Sequence, residues 1–381
     1  MAKIGIYSDV HISKTSSILP MYRDDTSAYT TRLQMCSDSI MWAYDVFKTN
    51  RVDMIVNCGD TFDSHTTTAD EQCTYVKLLN DISLKYCTFS NDDFYRIDRT
   101  LIGNHDRLNN HFSSVDILSL SNVSKLVQSY DYVDISNWDI YYISFFDSSE
   151  FSKILQDMLS EFPRKHEKAI LFMHGDINGS TLNGNKKIEN RISTELLTQY
   201  FDVVINGHIH CHELIYKQDN KLIYNIGSLT SHSFADNEDY VPSCWIFDTD
   251  TLKLSRFKNP HAIMFKSYEV HDEKAIAEMY SNSCYPNNPV VLKIKTTIDL
   301  KETIDECLKD NENIIKYKFI FTYDNISVNK DDKVEESNIN TNKSIEEEFI
   351  DFLSARDDLK DDLQIYADNI NREAHHDKLK V

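Results

Sequence analysis

Glycine is scarce in this sequence, at 8 of 381 residues against a usual share of roughly 7%. That shortage excludes collagen-like, Gly/Ser-linker and glycine-rich repeat architectures. It also predicts that each glycine stands where backbone geometry leaves little substitute. The 8 cysteines include no C-x-x-C pair, so they read as reduced thiols packed as small hydrophobes. No segment approaches the ~18 consecutive apolar residues of a membrane span. The opening Lys3-Ile4-Gly5-Ile6-Tyr7 lacks the apolar core and cleavage site of a secretory leader, so a cytoplasmic location is expected.

Positive charge is also short, with 40 Lys and Arg against 61 Asp and Glu, for a net charge of −21. Non-specific affinity for a polyanion comes largely from basic side chains neutralising phosphates, so the total argues against nucleic acid. The distribution qualifies that argument. Residues 329–381 hold 15 acidic and 8 basic residues, a net of −7 that leaves −14 on residues 1–328. Bound divalent ions can be the largest local charges in a site, so a phosphate-bearing substrate stays open.

What the chain has in quantity is short apolar runs that end in polar clusters: Ile4–Tyr7, Met54–Val56, Thr100–Ile102, Ala169–Met173, Val203–Ile205 and Leu222–Tyr224. Leu33–Phe47 and Ala69–Leu84 carry apolar residues at helical spacing. Strand, loop and helix in alternation predict an α/β layer fold, whose ligands gather at the carboxyl ends of strands. The pattern changes near Phe265, where strand, helix and strand signals over residues 289–323 predict a small α+β domain. The expected division is a domain over 1–265, a small domain over 266–325, an acidic linker over 326–343 and a helical tail over 344–381. Ser344 with Glu347 forms a capping box at the start of that tail. Leu359, Leu363, Tyr366 and Ile370 then share one helical face, which must pack on its own domain or on a partner.

Five polar clusters follow predicted strands in order: Asp9-Val10-His11, Gly59-Asp60-Thr61-Phe62-Asp63, Gly103-Asn104-His105-Asp106, His174-Gly175-Asp176 and Gly207-His208-Ile209-His210. They supply carboxylate and amide oxygens with imidazole nitrogens, a donor set for manganese, iron or zinc. Asp9, His11, Asp60, Asn104, His174, His208 and His210 are too many ligands for one ion and suit two that share a bridging carboxylate. Such a pair, roughly 3.5–4 Å apart, activates a water and clamps the attacking and leaving oxygens of a displacement at phosphorus. Glycine falls at these motifs (Gly59, Gly103, Gly175, Gly207), in the first strand (Gly5) and at the last strand-end turn (Gly227), and is read as serving sharp turns that present ligands.

In order and spacing these motifs resemble the calcineurin-like metallophosphoesterase superfamily over about residues 3–230. The resemblance implies a two-sheet sandwich flanked by helices, with a small α+β cap and a helical tail. It implies one metal held by Asp9, His11, Asp60 and His210, and a second held by Asp60, Asn104, His174 and His208, with Asp60 bridging. It makes His105 the non-ligand histidine that assists at the phosphoryl group, and Asp63 and Asp106 candidates for orienting histidines. The G-D-T-F-D form, the Ile226-Gly227-Ser228-Leu229-Thr230 segment and the acidic linker with its helical tail are similar to the SbcD-type DNA repair nucleases. The phage recombination endonucleases, in their small subunits, are more similar still. That branch implies a manganese-dependent nuclease, a homodimer, and a coiled-coil ABC ATPase partner contacted through Leu359, Leu363, Tyr366 and Ile370. Arg107, Lys186, Lys187 and Arg191 are candidate DNA phosphate contacts, with solvated surface charge as the competing reading. A small-substrate phosphatase is the enzymatic alternative. A metal-free scaffold is disfavoured because every expected ligand is present. Among the remaining histidines, His232 is the one to locate relative to the site.

Overall fold

The computed structural model describes residues 2–22, 28–86, 98–109, 111–120, 123–135, 137–182, 186–234, 240–283, 288–309 and 311–321. The linker and tail expected over 326–381, including Leu359, Leu363, Tyr366 and Ile370, lie outside the described residues. Met1–Asp324 makes up one compact unit, with Asn325–Val381 assigned to a second.

The first sheet is built from β1 (Lys3–Tyr7), β2 (Met54–Asn57), β3 (Arg99–Leu101), β4 (Lys125–Val127), β11 (Ser243–Asp248) and β12 (Lys253–Lys258) in the order β12-β11-β1-β2-β3-β4. The second contains β5 (Tyr130–Ile135), β6 (Trp138–Ile143), β7 (Lys168–Met173), β8 (Val203–Asn206), β9 (Glu213–Gln218) and β10 (Lys221–Asn225) in the order β5-β6-β7-β8-β10-β9. The interior strands that carry the motifs run parallel: β1 with β2 and β3, and β7 with β8 and β10. Their carboxyl ends therefore converge at one rim of the sandwich.

Side-chain alternation on strands explains the layers. Ile4 and Ile6 point between the sheets, where they meet Val56, Tyr142, Phe172, Ile205 and Phe247. Tyr7 faces outward onto α1 (Thr31–Thr49) and α2 (Ala69–Tyr86), with Phe47 and Tyr75 in that outer core. Gly5, on the same outward face, would place a Cβ 2.7 Å from the Phe47 ring. Its role is to let the helix lie on the strand. The second sheet is covered by α3 (Ser148–Glu161) and α4 (Thr194–Tyr200), through Phe151, Leu155 and Leu197.

The third sheet, with its helices, contains β13 (Met264–Val270), α5 (Glu273–Ser283), β14 (Val290–Thr296), α6 (Lys301–Leu308) and β15 (Ile314–Phe321). All three strands run parallel because each helix carries the crossover to the next. One face packs on α5 and α6 through Leu292, Ile294, Ile276 and Ile304. At the base of the other, Phe265, Val291 and Ile315 join the outer core of the first sheet, beside Leu229 and Phe234. No described helix is long and apolar enough to cross a membrane.

One buried carboxyl gives the fold a pH signature. Asp98 is 1% exposed. One of its oxygens accepts the Ile55 N–H at 2.7 Å, while the other has no hydrogen-bond partner among the described residues. Burial pushes its pKa up to about 8, against the smaller opposing pulls of the Ile55 N–H and Arg99. A carboxyl with a raised folded pKa costs stability as pH climbs from its unfolded value, near 4, to about 8, by at most ~1.4 kcal/mol per pH unit. Asp98→Asn should flatten that slope and stabilise the protein at pH 8. Urea midpoints at pH 5 and 8 measure this, and an equal shift at both would contradict it.

Candidate metal centre

Four of the ligand-bearing residues, Asp9 (φ 52°), His11 (φ 50°), Asp60 (φ 51°) and His208 (φ 78°), occupy the left-handed backbone region. Such conformations are costly for residues with a Cβ and persist only where surroundings enforce them. Here the loops after β1 and β2 brace each other: the Asp9, His11 and Ile12 N–H groups donate to the Gly59, Asp60 and Thr61 carbonyls at 3.0, 3.0 and 2.8 Å.

The seven expected ligands meet at this rim. Asp9, His11 and Asp60 form one cluster of donor atoms, and Asp60, His174 and His208 form another, so Asp60 belongs to both. Asn104 Oδ1 lies 3.0 Å from His174 Nε2 and 2.8 Å from His208 Nδ1. The His210 ring stands 5.1 Å from that of His11.

Tautomers follow from the partners, since a carbonyl or carboxylate oxygen can only accept. His174 Nδ1–H donates to the Cys58 carbonyl at 2.7 Å, which directs Nε2 at Asp60 Oδ2, 3.3 Å away. His208 Nε2–H donates to Asp176 at 3.0 Å, which leaves Nδ1 facing Asn104. His11 Nδ1–H donates to Asp63 at 3.2 Å. Its Nε2 is buried without a hydrogen-bond partner among the described residues, 3.9 Å from Asp9 Oδ1 and 3.6 Å from Asp60 Oδ2. These gaps are long for hydrogen bonds but suit atoms sharing an ion at ~2.1 Å, whose mutual separations run roughly 3–4 Å. A buried orphan nitrogen and lone pairs converging on oxygens fit a bound cation.

The electrostatics agree. Burial alone would depress His174, but the Asp60 carboxylate holds it up at about 9. Burial would likewise raise Asp60, yet His174, His11 and His105 keep it well below the carboxylate range. The pocket therefore stabilises positive charge at His174 Nε2, the place a metal would take from a proton.

A model of calcineurin-like phosphoesterases matches residues 2–212. The chain belongs to that family. As a calcineurin-like phosphoesterase it is a hydrolase with a dinuclear divalent metal centre. It is similar in structure to a dimetal phosphatase from Danio rerio, at 12% identity, with 64% of this chain and 91% of that chain covered and a TM-score of 0.40. It is also similar to Vps29 of Chaetomium thermophilum, at 14% identity, with 65% and 82% covered and a TM-score of 0.28. No curated protein sequence matches the chain.

His105 is exposed. Its N–H donates to Asp60 Oδ1 at 2.9 Å and its Nδ1–H to the Asp63 carbonyl at 2.8 Å, so the phosphoesterase presents His105 Nε2 at the mouth of the site. Asp63 touches His11, accepting its Nδ1–H at 3.2 Å. Asp106, expected to orient a histidine, instead accepts the Thr61, Phe62 and Gly103 N–H groups at 3.1, 2.8 and 3.0 Å. It ties the β2 and β3 loops together, because its short side chain is spent on backbone donors. Burial and the nearby Asp60 charge raise its pKa to about 6.

The expected phosphate contacts divide. Arg191 pairs with Asp176 at 3.3 Å, one residue away from His208. The Arg107 guanidinium lies 4.7 Å from the Phe146 ring centroid. Lys187 is taken up by Glu213 at 2.7 Å, and Lys186 is exposed.

Three residues support the ligands: Asp176 and Arg32, whose roles are not evident from sequence, and His232, which the sequence singles out among the remaining histidines. Asp176 was legible as part of the His174-Gly175-Asp176 cluster but not as the partner of His208. Removing such a partner typically costs ~10–100-fold in metal affinity. Asp176→Ala should weaken divalent-metal binding by that factor with the fold unchanged, as read by metal titration and circular dichroism. The second and third are Arg32 and His232. Arg32, from α1, is 5% exposed and donates to the carbonyls of Val10 (3.3 Å), His11 (3.0 Å) and Ser231. It also donates to His232 Nδ1 at 3.1 Å. Arg32 has no acceptor to offer, so His232 carries its proton on Nε2, which donates to the Asp9 carbonyl at 3.3 Å. The His232 ring lies 4.4 Å from that of His11 and 4.3 Å from that of His210. Both residues thus hold the strained Asp9–His11 loop.

Proposed function

We propose that this phosphoesterase is a manganese-dependent nuclease that hydrolyses phosphodiester bonds in DNA, in repair or recombination. The observation that carries the reading is a lysine face on the small sheet. Residues at alternate positions of β14 and β15 share one face, which places Lys293 opposite Lys318 and on the same face as Lys316, while Lys295, also on that face, is paired with Glu269 at 2.8 Å. Lys293 and Lys318 stand 5.1 and 5.4 Å from the Phe234 ring centroid. Phe234 is two residues beyond His232, which packs against the ligand histidines. A chain of −21 thus keeps a basic patch next to its metal-binding rim, as a polyanionic substrate requires.

When bound, the two divalent ions activate a water and offset the charge that develops on the phosphoryl oxygens. The chain's own residues do the rest. Asp60 and the imidazoles would hold the ions, and His105, when protonated at Nε2 as well as at the Nδ1 that donates to the Asp63 carbonyl, gives its Nε2 proton to the departing sugar oxygen. On this reading residues 344–381 dock on a coiled-coil ATPase of the SbcC kind, and the chain works as a homodimer.

The test compares DNA with p-nitrophenyl phosphate as substrates in manganese. Far better turnover of the monoester would sink the nuclease reading in favour of a small-substrate phosphatase. DNA binding should weaken with salt, and Lys293→Gln with Lys318→Gln should lower the slope of log K against log salt by about 1 for each phosphate that is no longer neutralised. His105→Ala should cut turnover by ~10²–10⁴ while metal content stays unchanged. Intact hydrolysis in that variant would remove His105 from the mechanism.

A further inference from the structure

Beside the His174 and His208 cluster lies a recess of about 450 Å³, whose lining includes Phe145, Phe146, Asp147, Ser149, Asp176, Asn190 and Arg191. We infer that this recess takes the nucleoside of one unpaired nucleotide whose phosphate sits over the metal ligands, an assignment that rests on the phosphodiesterase reading and names its substrate more narrowly.

Three observations converge on a nucleoside. The recess is continuous with the site: Asp176 both lines it and accepts His208 Nε2–H at 3.0 Å. The Phe145 ring lies 6.2 Å from the rings of both His174 and His208. A phosphorus held at those histidines therefore places one ester substituent toward the recess. Its lining pairs aromatic faces with hydrogen-bonding edges: Phe145 and Phe146 offer π surfaces, and Asn190, Ser149 and Asp176 offer donors and acceptors. The Asp176 charge is already countered by Arg191 at 3.3 Å and by His208, and the exposed Asp147 carboxylate can accept from the N–H edge of a neutral base. A bare phosphate would leave the two rings unused, and a lipid chain would meet too many polar groups. The volume is that of pockets holding one small molecule, so a base enters only once it has left its stack.

Two variants separate this from simple phosphate binding at the metals. Ser149→Trp, at an exposed position of α3, fills the recess; Phe146→Leu keeps most of the bulk but removes the π face. With manganese present, calorimetry should show thymidine 5′-monophosphate binding about 10-fold tighter than inorganic phosphate, the order expected for one base on an aromatic side chain. That advantage should vanish in Ser149→Trp and fall severalfold in Phe146→Leu, with circular dichroism confirming that both fold. The ratio of kcat/KM for thymidine 5′-(p-nitrophenyl phosphate) over bis(p-nitrophenyl) phosphate should drop in parallel. An equal affinity for the two ligands in the unaltered protein, or an advantage that survives Ser149→Trp, overturns the inference. If bis(p-nitrophenyl) phosphate is not hydrolysed with any divalent metal, the phosphodiesterase reading fails, and the calorimetric comparison still decides the recess.

Discussion

Asp60→Asn should abolish metal-dependent hydrolysis while leaving the protein folded. The loss should exceed the ~10²–10⁴ that removal of one proton-transfer group costs, because Asp60 is the residue shared by both donor clusters. Asparagine keeps an oxygen for the His105 N–H, which reaches Asp60 Oδ1 at 2.9 Å, so the geometry of the loop after β3 survives. What disappears is the negative charge at the centre of four imidazoles. The same substitution has a signature that needs no metal. His174 is fully enclosed, and against burial it is lifted to about 9 chiefly by the Asp60 carboxylate, with smaller help from Asp9 and the Cys58 carbonyl. Without that carboxylate the desolvation cost prevails, and the imidazole should titrate below its ordinary value. Proton NMR of metal-free Asp60→Asn reads this directly. A His174 pKa still near 9 would mean that another group supplies the field, and the bridging role would lose its electrostatic basis.

Gly103→Ala should be the most damaging change that adds only a methyl group. Its Cβ would lie 1.9 Å from Asp60 Oδ1 and 2.3 Å from the Asp60 backbone nitrogen. The first obstacle is a ligand oxygen already held by the His105 N–H and the second is main chain, so neither can swing away. Overpacking in a well-packed interior typically costs about 1–3 kcal/mol, and a clash with backbone belongs at the upper end or beyond. The strand-end loop must move, which carries Asn104 and His105 with it and breaks the Gly103 N–H bond to Asp106 at 3.0 Å. Urea unfolding should show the stability loss, and metal analysis the loss of the second ion. Gly175→Ala is the internal control: its nearest neighbours would be the Ile192 and Met173 side chains at 3.5 and 3.6 Å, ordinary van der Waals distances. Wild-type stability for Gly103→Ala would show that the loop is looser than its hydrogen bonds imply.

Those two glycines show where reading the chain in one dimension runs short. Glycine scarcity pointed correctly to the strand-end motifs as special positions. It could not separate Gly103, excluded from bearing a Cβ by a residue 43 positions earlier, from Gly175, which has room. Nor could it show that Gly5 yields its side chain to Phe47 of α1.

The ligand set was legible in the sequence for a physical reason. Metals at phosphorus demand particular donor atoms, and a parallel sheet presents them from consecutive strand ends, so Asp9, His11, Asp60, Asn104, His174, His208 and His210 appear in chain order inside recognisable clusters. The strands and helices that carry them were legible because periodicity is local. What holds the ligands in place was decided by the tertiary structure alone. Arg32 meets Ser231 across 199 residues and His232 across 200, and Asp106 spends its carboxylate on the neighbouring loop instead of a histidine. The lysines of β14 and β15 become one surface only through register, and Phe145 and Arg191 line one recess only because their loops leave adjoining strand ends. Donor chemistry is written residue by residue, whereas support, substrate approach and steric room depend on which distant segments the packed core brings together.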